Sequence, residues 1–315
     1  MRTIAGFMFA AVLAASTAVA QSPETRFQSG VDLVALNVVV TDPQGRFVSG
    51  LSSPEFLVFE DGQPQDISVF EVVPAPIDLA LLLDTSSSMA DKIGTVQQAA
   101  IGFTSVVRQG DRISIVDVKD TVKVIHPLNE DFASARQAIK STYARGNTAL
   151  YNGIYTTLTG LVRQRAEDSG IRRQALVVLS DGADTSSLVA LDDLMDLAKN
   201  AGVAIYTITL QTTLHQRSLV TSGGPAQAEA LYAMKALSSE TGARAFFPAA
   251  IQELAGVYDM IAQELANQYL VGYVPKNVRR DGSYRRVDVR IDRAEVRART
   301  RSGYKATTQS SASTR

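Results

Sequence analysis

Three oxygen-bearing side chains stand at alternate positions in the segment Asp84-Thr85-Ser86-Ser87-Ser88-Met89. Alternation can aim the Asp84 carboxylate and the Ser86 and Ser88 hydroxyls at one point. Oxygen donors of this kind suit Mg²⁺, Mn²⁺ or Ca²⁺ and are poor ligands for softer metals. Three oxygens do not make a site, and two further segments can supply the rest. Arg145-Gly146-Asn147-Thr148 offers a hydroxyl just before a helical pattern, and Leu179-Ser180-Asp181-Gly182 offers a carboxylate just after an apolar run. Each piece also has a plain structural reading. Ser and Thr after a strand often serve as helix N-caps, worth about 1 kcal/mol, and Asp-Gly after a strand is often a turn.

The elements that must position these residues show in the hydrophobic rhythm. Leu79 to Leu83 is a continuous apolar run, as a strand buried on both faces requires. Similar runs recur at Ile113 to Val118, Ala175 to Leu179 and Val203 to Leu210. Helix-period segments lie near 93–107, 132–143, 150–165, 188–199, 226–239 and 251–268. Strands alternating with helices of this length imply βαβ units on a mostly parallel central sheet, with helices on both faces. In open sheets of this kind ligands bind beyond the carboxyl ends of the strands, where Asp84 and Asp181 fall.

Outside this α/β region the pattern is β. Residues 31–40, 56–60 and 67–71 alternate, with turns at Asp42-Pro43-Gln44-Gly45 and Asp61-Gly62. Alternation returns at 269–274, 284–291 and 296–300. Isolated strands are marginal alone, so both flanks are expected to pair into one β-sandwich-like subdomain from which the α/β domain emerges. The expected organisation is a leader at 1–20, a β segment at 27–74, the α/β domain at 77–267, a β segment at 268–304 and a disordered Ser/Thr-rich tail at 305–315.

Composition narrows the function. The 315 residues carry 31 Lys+Arg against 32 Asp+Glu, which gives no general pull toward nucleic acid. With no Cys, disulfides and thiolate metal sites are excluded, and 2 His argue against a multi-histidine site. Arg2, the apolar stretch Ile4 to Ala15 and the small-x-small triplet Ala18-Val19-Ala20 read as a secretory signal peptide, so the protein is expected to be secreted or periplasmic. The best remaining membrane-length stretch, 251–274, is interrupted by Glu253, Asp259 and Glu264, so no transmembrane segment is expected.

The segment 77–267 resembles a von Willebrand factor A-type domain. That family's metal-ion-dependent adhesion site reads Asp-x-Ser-x-Ser, then a distant Thr, then a distant Asp. The matching positions are Asp84, Ser86, Ser88, Thr148 and Asp181, in the contexts LLLDTSSSM, GNTALYNGI and VVLSDGADT. The flanks resemble a bacterial group of such proteins, through VVVTDPQGRFVSGLSSPEFLVFEDGQPQDISVF before the domain and QYLVGYVPKNVRRDGSYRRVDVRI after it. The resemblance implies direct coordination of a Mg²⁺-like cation by Ser86 and Ser88, with Asp84 and Asp181 partly acting through water. It also implies that Thr148 coordinates in the ligand-ready state and that one position stays open for an Asp or Glu carboxylate of a protein partner.

Other functions fit less well. A phosphatase built on a strand-end Asp needs a second Asp where Ser86 stands, and neither a Gly-x-Ser-x-Gly elbow nor a phosphate loop ending in Lys-Ser/Thr is present. His126, beside Pro127 in an expected hairpin, and His215, in a polar loop, read as surface residues. The expectation is therefore a binding or adhesion module, not an enzyme; a structural envelope component with a non-essential metal site and a metal-assisted hydrolase are the alternatives. Asp184 and Thr185 read as a cap for the next helix, and Asp117 and Asp120 as solvated loop carboxylates. Residues 276–305 hold 11 Lys/Arg against 4 acids, and Arg297, Arg299 and Arg301 share one strand face. That face reads as solvated, discouraging edge pairing, with weak attraction to anionic surfaces as its functional alternative. The loop 211–225 is a recognition loop or a plain insertion.

Overall fold

The structure, a computed structural model, describes residues 33–72, 75–105, 107–168, 172–181, 184–210 and 225–306. The expected signal peptide, the loop 211–224 with His215, and the tail beyond residue 306 lie outside the described residues.

The apolar runs become strands of one central sheet. β5 (Ile77–Asp84), β6 (Arg112–Val118), β8 (Arg173–Ser180), β9 (Ala204–Thr209) and β10 (Ala245–Phe246) run parallel. β7 (Val122–Asn129) turns back antiparallel on β6 to form one edge, giving the order β10-β9-β8-β5-β6-β7. Every residue of β5 and of β8 is buried, as expected of strands covered on both faces. Leu79, Leu81 and Leu83 face a core closed by helices α1 (Ile93–Phe103), α2 (Phe132–Lys140) and α6 (Leu254–Ala266). Ala80 and Leu82 face the opposite core, closed by α3 (Leu150–Glu167), α4 (Leu191–Ala201) and α5 (Pro225–Glu240). The membrane-length stretch 251–274 divides into α6 and a strand, and no described helix is long and apolar enough to cross a membrane.

The flanks pair with each other. β1 (Val34–Thr41), β4 (Ile67–Glu71), β11 (Gln268–Tyr273) and β13 (Arg297–Arg299) form an antiparallel sheet in the order β13-β1-β11-β4. β2 (Phe56–Glu60), β3 (Gln63–Gln65), β12 (Tyr284–Ile291) and β14 (Gly303–Lys305) form a second, in the order β14-β12-β2-β3. Each sheet mixes strands from before and after the α/β region. They share a core of Leu36, Val38, Phe56, Val58, Val271, Tyr273 and Val287. Lys305, expected in the tail, is the last residue of β14, paired with Tyr284.

The basic C-terminal face is not simply solvated. Arg299 Nη2 lies 2.6 Å from Glu264, which is 1% exposed on α6 and also accepts from Tyr206 at 2.8 Å. Arg299 Nη1 donates to the Gly242 carbonyl at 2.6 Å, and Arg285 is buried against Glu60 at 3.1 Å. Guanidinium groups thus tie the β subdomain to itself and to the α/β domain, whereas Arg297 stays exposed. His126 also departs from expectation. It is 2% exposed because its strand position turns it inward, opposite Ile115.

Candidate functional site

β5 lies at the point where the chain changes direction across the sheet: β6 and β7 follow on one side of it and β8 to β10 on the other. Loops leaving such a switch point splay apart and leave a crevice at the carboxyl ends of the strands. The loop after β5 carries Asp84, Ser86 and Ser88, the segment before α3 carries Thr148, and the loop after β8 carries Asp181.

Backbone hydrogen bonds fasten these three segments together. Arg145 N donates to Thr85 O at 2.8 Å, and Ser87 N donates to Gly146 O at 3.0 Å. Thr148 O accepts from Thr185 N at 2.9 Å and from Ser186 N at 3.1 Å, while Thr148 N donates to the Thr185 hydroxyl at 3.0 Å. Gly146 has φ +79°, and a Cβ there would fall 1.9 Å from Asp120 Oδ2, the carboxylate whose Oδ1 accepts from Asn147 N at 2.9 Å. Glycine is therefore favoured by the left-handed backbone conformation, while the exposed Asp120 side chain sits in the space a Cβ would take.

Within the crevice Asp84 is 0% exposed. Its Oδ1 accepts from Ser86 N at 2.9 Å and its Oδ2 from Ser180 Oγ at 2.6 Å. Burial pushes the Asp84 carboxyl up to about 6; the serine hydrogen bonds hold it back, and the nearby Asp181 charge adds to the rise. Ser86 Oγ and Ser88 Oγ face each other at 3.0 Å, where either could donate. Thr148 is buried, Asp181 half-buried and Ser88 exposed, so the set opens to solvent on the Ser88 side.

The capping alternative fits poorly. Ser86 occupies the N-cap position of a short 3-10 turn, yet its side chain makes no capping bond. The N-cap of α3 is Ala149, not Thr148. Asp184 does cap a helix, but the preceding one: its Oδ1 accepts from Tyr151 N of α3 at 3.2 Å and from Ser187 Oγ at 2.6 Å. The next helix, α4, starts after Ala190 with no side-chain cap. Asp117 is not a solvated loop carboxylate. It is buried on β6, accepts from the Thr85 hydroxyl and lies 3.1 Å from Lys119 Nζ. Asp120 is exposed, as expected.

Two groups at the site were not singled out from the sequence: Ser180, which touches Asp84, and Thr85, whose side chain points away from it. Alternation within each motif was the available signal. Among the described residues no group of three or more His, Cys, Asp or Glu side chains is arranged to hold a metal ion. The five expected residues are all oxygen donors, and the loop after β5 brings Asp84, Ser86 and Ser88 together; donors of that chemistry fit a hard divalent cation.

The fold is a Rossmann-like domain with Asp84, Ser86 and Ser88 on the loop that leaves the sheet's switch point. The von Willebrand factor type A domain model matches residues 78–259, more than half of the chain, and the chain belongs to that family. The comparison with curated proteins gave no match. Among solved structures, proximal thread matrix protein 1 from the mussel byssus, with a zinc-occupied MIDAS motif, is 18% identical over 64% of this chain and 48% of its own, at a TM-score of 0.48. This chain thus spans about half the length of that protein. The von Willebrand domain of the type V pili tip protein Mfa5 from Porphyromonas gingivalis is 15% identical over 61% of this chain and 95% of its own, at 0.47. A von Willebrand factor type A protein from Catenulispora acidiphila is 12% identical over 90% of this chain and 76% of its own, at 0.46. At these identities and scores the likenesses carry no functional argument.

Proposed function

We propose that this chain is an exported, metal-ion-dependent protein-binding module. The observation that supports this most directly is the state of Asp84: a fully buried carboxylate held by neutral serine groups, with a second carboxylate close by and the buried Ser86 hydroxyl paired with Ser88 beside it. Asp84, Asp181, Ser86, Ser88 and Thr148 would hold the cation, with Mg²⁺ favoured and Mn²⁺ or Ca²⁺ compatible. The bound cation supplies a Lewis-acidic position for a carboxylate oxygen from an Asp or Glu of the partner. Two protein carboxylates bring a divalent ion near neutrality, so the incoming carboxylate meets no strong repulsion and gains by completing the shell. Export is inferred from Arg2, the apolar stretch after it and Ala18-Val19-Ala20.

The test is calorimetric titration of Mg²⁺ and Mn²⁺ into chelator-treated protein beginning at Gln21, in parallel with Asp84→Ala. Saturable heat is expected in the parent and none in the variant. A folded parent that shows no heat, or a variant that binds equally well, overturns the proposal.

A further inference from the structure

We infer that Thr85 and Asp117 form a latch that aims the metal-directed side chains, a positioning role for two residues that touch no proposed ligand point. The inference rests on the site reading above for its consequence, but its geometry stands apart from any metal. Thr85 is 0% exposed and lies between Asp84 and Ser86. It is fixed at three atoms: its N–H donates to Val118 O at 2.9 Å, its carbonyl accepts from Arg145 N at 2.8 Å, and its hydroxyl donates to Asp117 Oδ1. In an extended chain neighbouring side chains point to opposite sides. With Thr85 held on Asp117, the side chains before and after it are turned away from that carboxylate: Asp84 Oδ2 meets Ser180 Oγ at 2.6 Å, and Ser86 Oγ meets Ser88 Oγ at 3.0 Å.

Asp117 is itself held. Lys119 Nζ lies 3.1 Å from its Oδ2 and 3.8 Å from the centroid of the exposed Tyr143 ring. A charge-assisted hydrogen bond of this kind is roughly twice as strong as a neutral one. The latch therefore replaces free rotation of the Asp84–Ser88 loop with one orientation. Outer-shell partners that orient metal ligands typically change metal affinity by about 10–100-fold when removed.

The experiment uses the full chain from Gln21 and compares Thr85→Val, Thr85→Ser and Asp117→Asn. Hydrogen exchange of the Asp84–Lys92 segment is read first, in chelator. Thr85→Val is expected to speed its exchange while Thr85→Ser leaves it at the parent rate. Mg²⁺ titration then reads the consequence: about 10-fold or more weaker binding for Thr85→Val, roughly 3-fold for Asp117→Asn, and parent-like binding for Thr85→Ser. Asp117→Asn keeps the shape and one acceptor, so it reports even if Thr85→Val does not fold. Parent-like exchange in Thr85→Val, or in Asp117→Asn where that alone folds, overturns the latch. So does Thr85→Ser behaving like Thr85→Val. Altered exchange with no Mg²⁺ heat in the parent leaves the latch standing and overturns the metal reading instead.

Discussion

Asp78 and Asp84 stand near opposite ends of β5, both 0% exposed, and the fold surrounds them with different chemistry. Asp78 receives a two-pronged contact from Arg112, Nε at 2.8 Å and Nη2 at 2.7 Å, and a third bond from Arg172 Nε at 2.6 Å. Asp84 receives a backbone N–H and a serine hydroxyl, and it forms no ion pair among the described residues. The amino end of the strand is thus a closed electrostatic unit, complete within the chain. The carboxyl end keeps a buried carboxylate whose charge no described side chain balances. A buried carboxylate that is unpaired either titrates upward or awaits a cation from outside. Burial pushes the Asp84 carboxyl upward, and a cation is what the proposed function supplies.

The largest expected effect breaks the closed end. Asp78→Ala leaves the partly buried Arg172 without its anion and Arg112 with Asp168 alone, and should lower unfolding free energy by about 3 kcal/mol. Urea unfolding in chelator and in Mg²⁺ should show the same loss. A cost below about 1 kcal/mol would mean that solvent already screens these arginines, and the contrast with Asp84 would lose its basis.

At the other end the sign reverses. Burial pushes the folded Asp84 carboxyl up to about 6, against 3.8 for the ordinary side chain. A raised folded value stabilises the protein in full below pH 3.8, and that contribution is lost as pH rises through 6. At roughly 1.4 kcal/mol per pH unit the loss approaches about 3 kcal/mol in metal-free protein. Asp84→Asn should not show it, so the difference between parent and variant in chelator should grow from pH 4 to pH 7 in the variant's favour. Mg²⁺ at about 100 times its dissociation constant should restore roughly 2.7 kcal/mol to the parent and nothing to the variant. A parent–variant difference that does not change with pH would show that Asp84 is well solvated or paired.

This contrast also marks what a sequence alone can deliver. The continuous apolar runs mark β5, β6, β8 and β9, because a strand buried on both faces is apolar through most of its length. The alternation Asp84, Ser86, Ser88 was legible for the same reason: it is local. Asp78 gave no signal, since its partners Arg112 and Arg172 lie 34 and 94 residues away and meet it only through strand order. Asp117 was misread because an acid at the end of a run resembles a loop residue until the Thr85 hydroxyl is seen to face it. Arg299 was misread likewise: nothing near it in the chain announces Glu264.

A smaller effect is expected at the seam between the two loops. Gly146→Ala forces a Cβ into a left-handed backbone at φ +79°, a cost of roughly 1–2 kcal/mol. The clash with the exposed Asp120 side chain adds little, because that carboxylate can swing away, but Asn147 N then loses its acceptor. Thermal unfolding should register the cost, and Mg²⁺ titration should weaken in step as Gly146 O shifts from Ser87 N. Unchanged metal affinity in a destabilised variant would show that the two loops are positioned independently.

The smallest stability effect is expected at Ser88, and it separates folding from function most sharply. Ser88 is exposed, and its hydroxyl meets Ser86 Oγ at 3.0 Å. Removing an exposed hydroxyl usually changes stability by less than about 0.5 kcal/mol. Ser88→Ala in chelator should therefore unfold with the parent at every pH, unlike Asp84→Asn, because Ser88 contributes no charge to the buried end of β5. The same substitution should weaken Mg²⁺ binding measurably by calorimetry, since it deletes one of three hydroxyl donors. Were Ser88→Ala instead to destabilise the apo protein and leave Mg²⁺ binding intact, the Ser86–Ser88 contact would be a structural hydrogen bond. The cation would then have to be held by Asp84, Ser86, Thr148 and Asp181 without it.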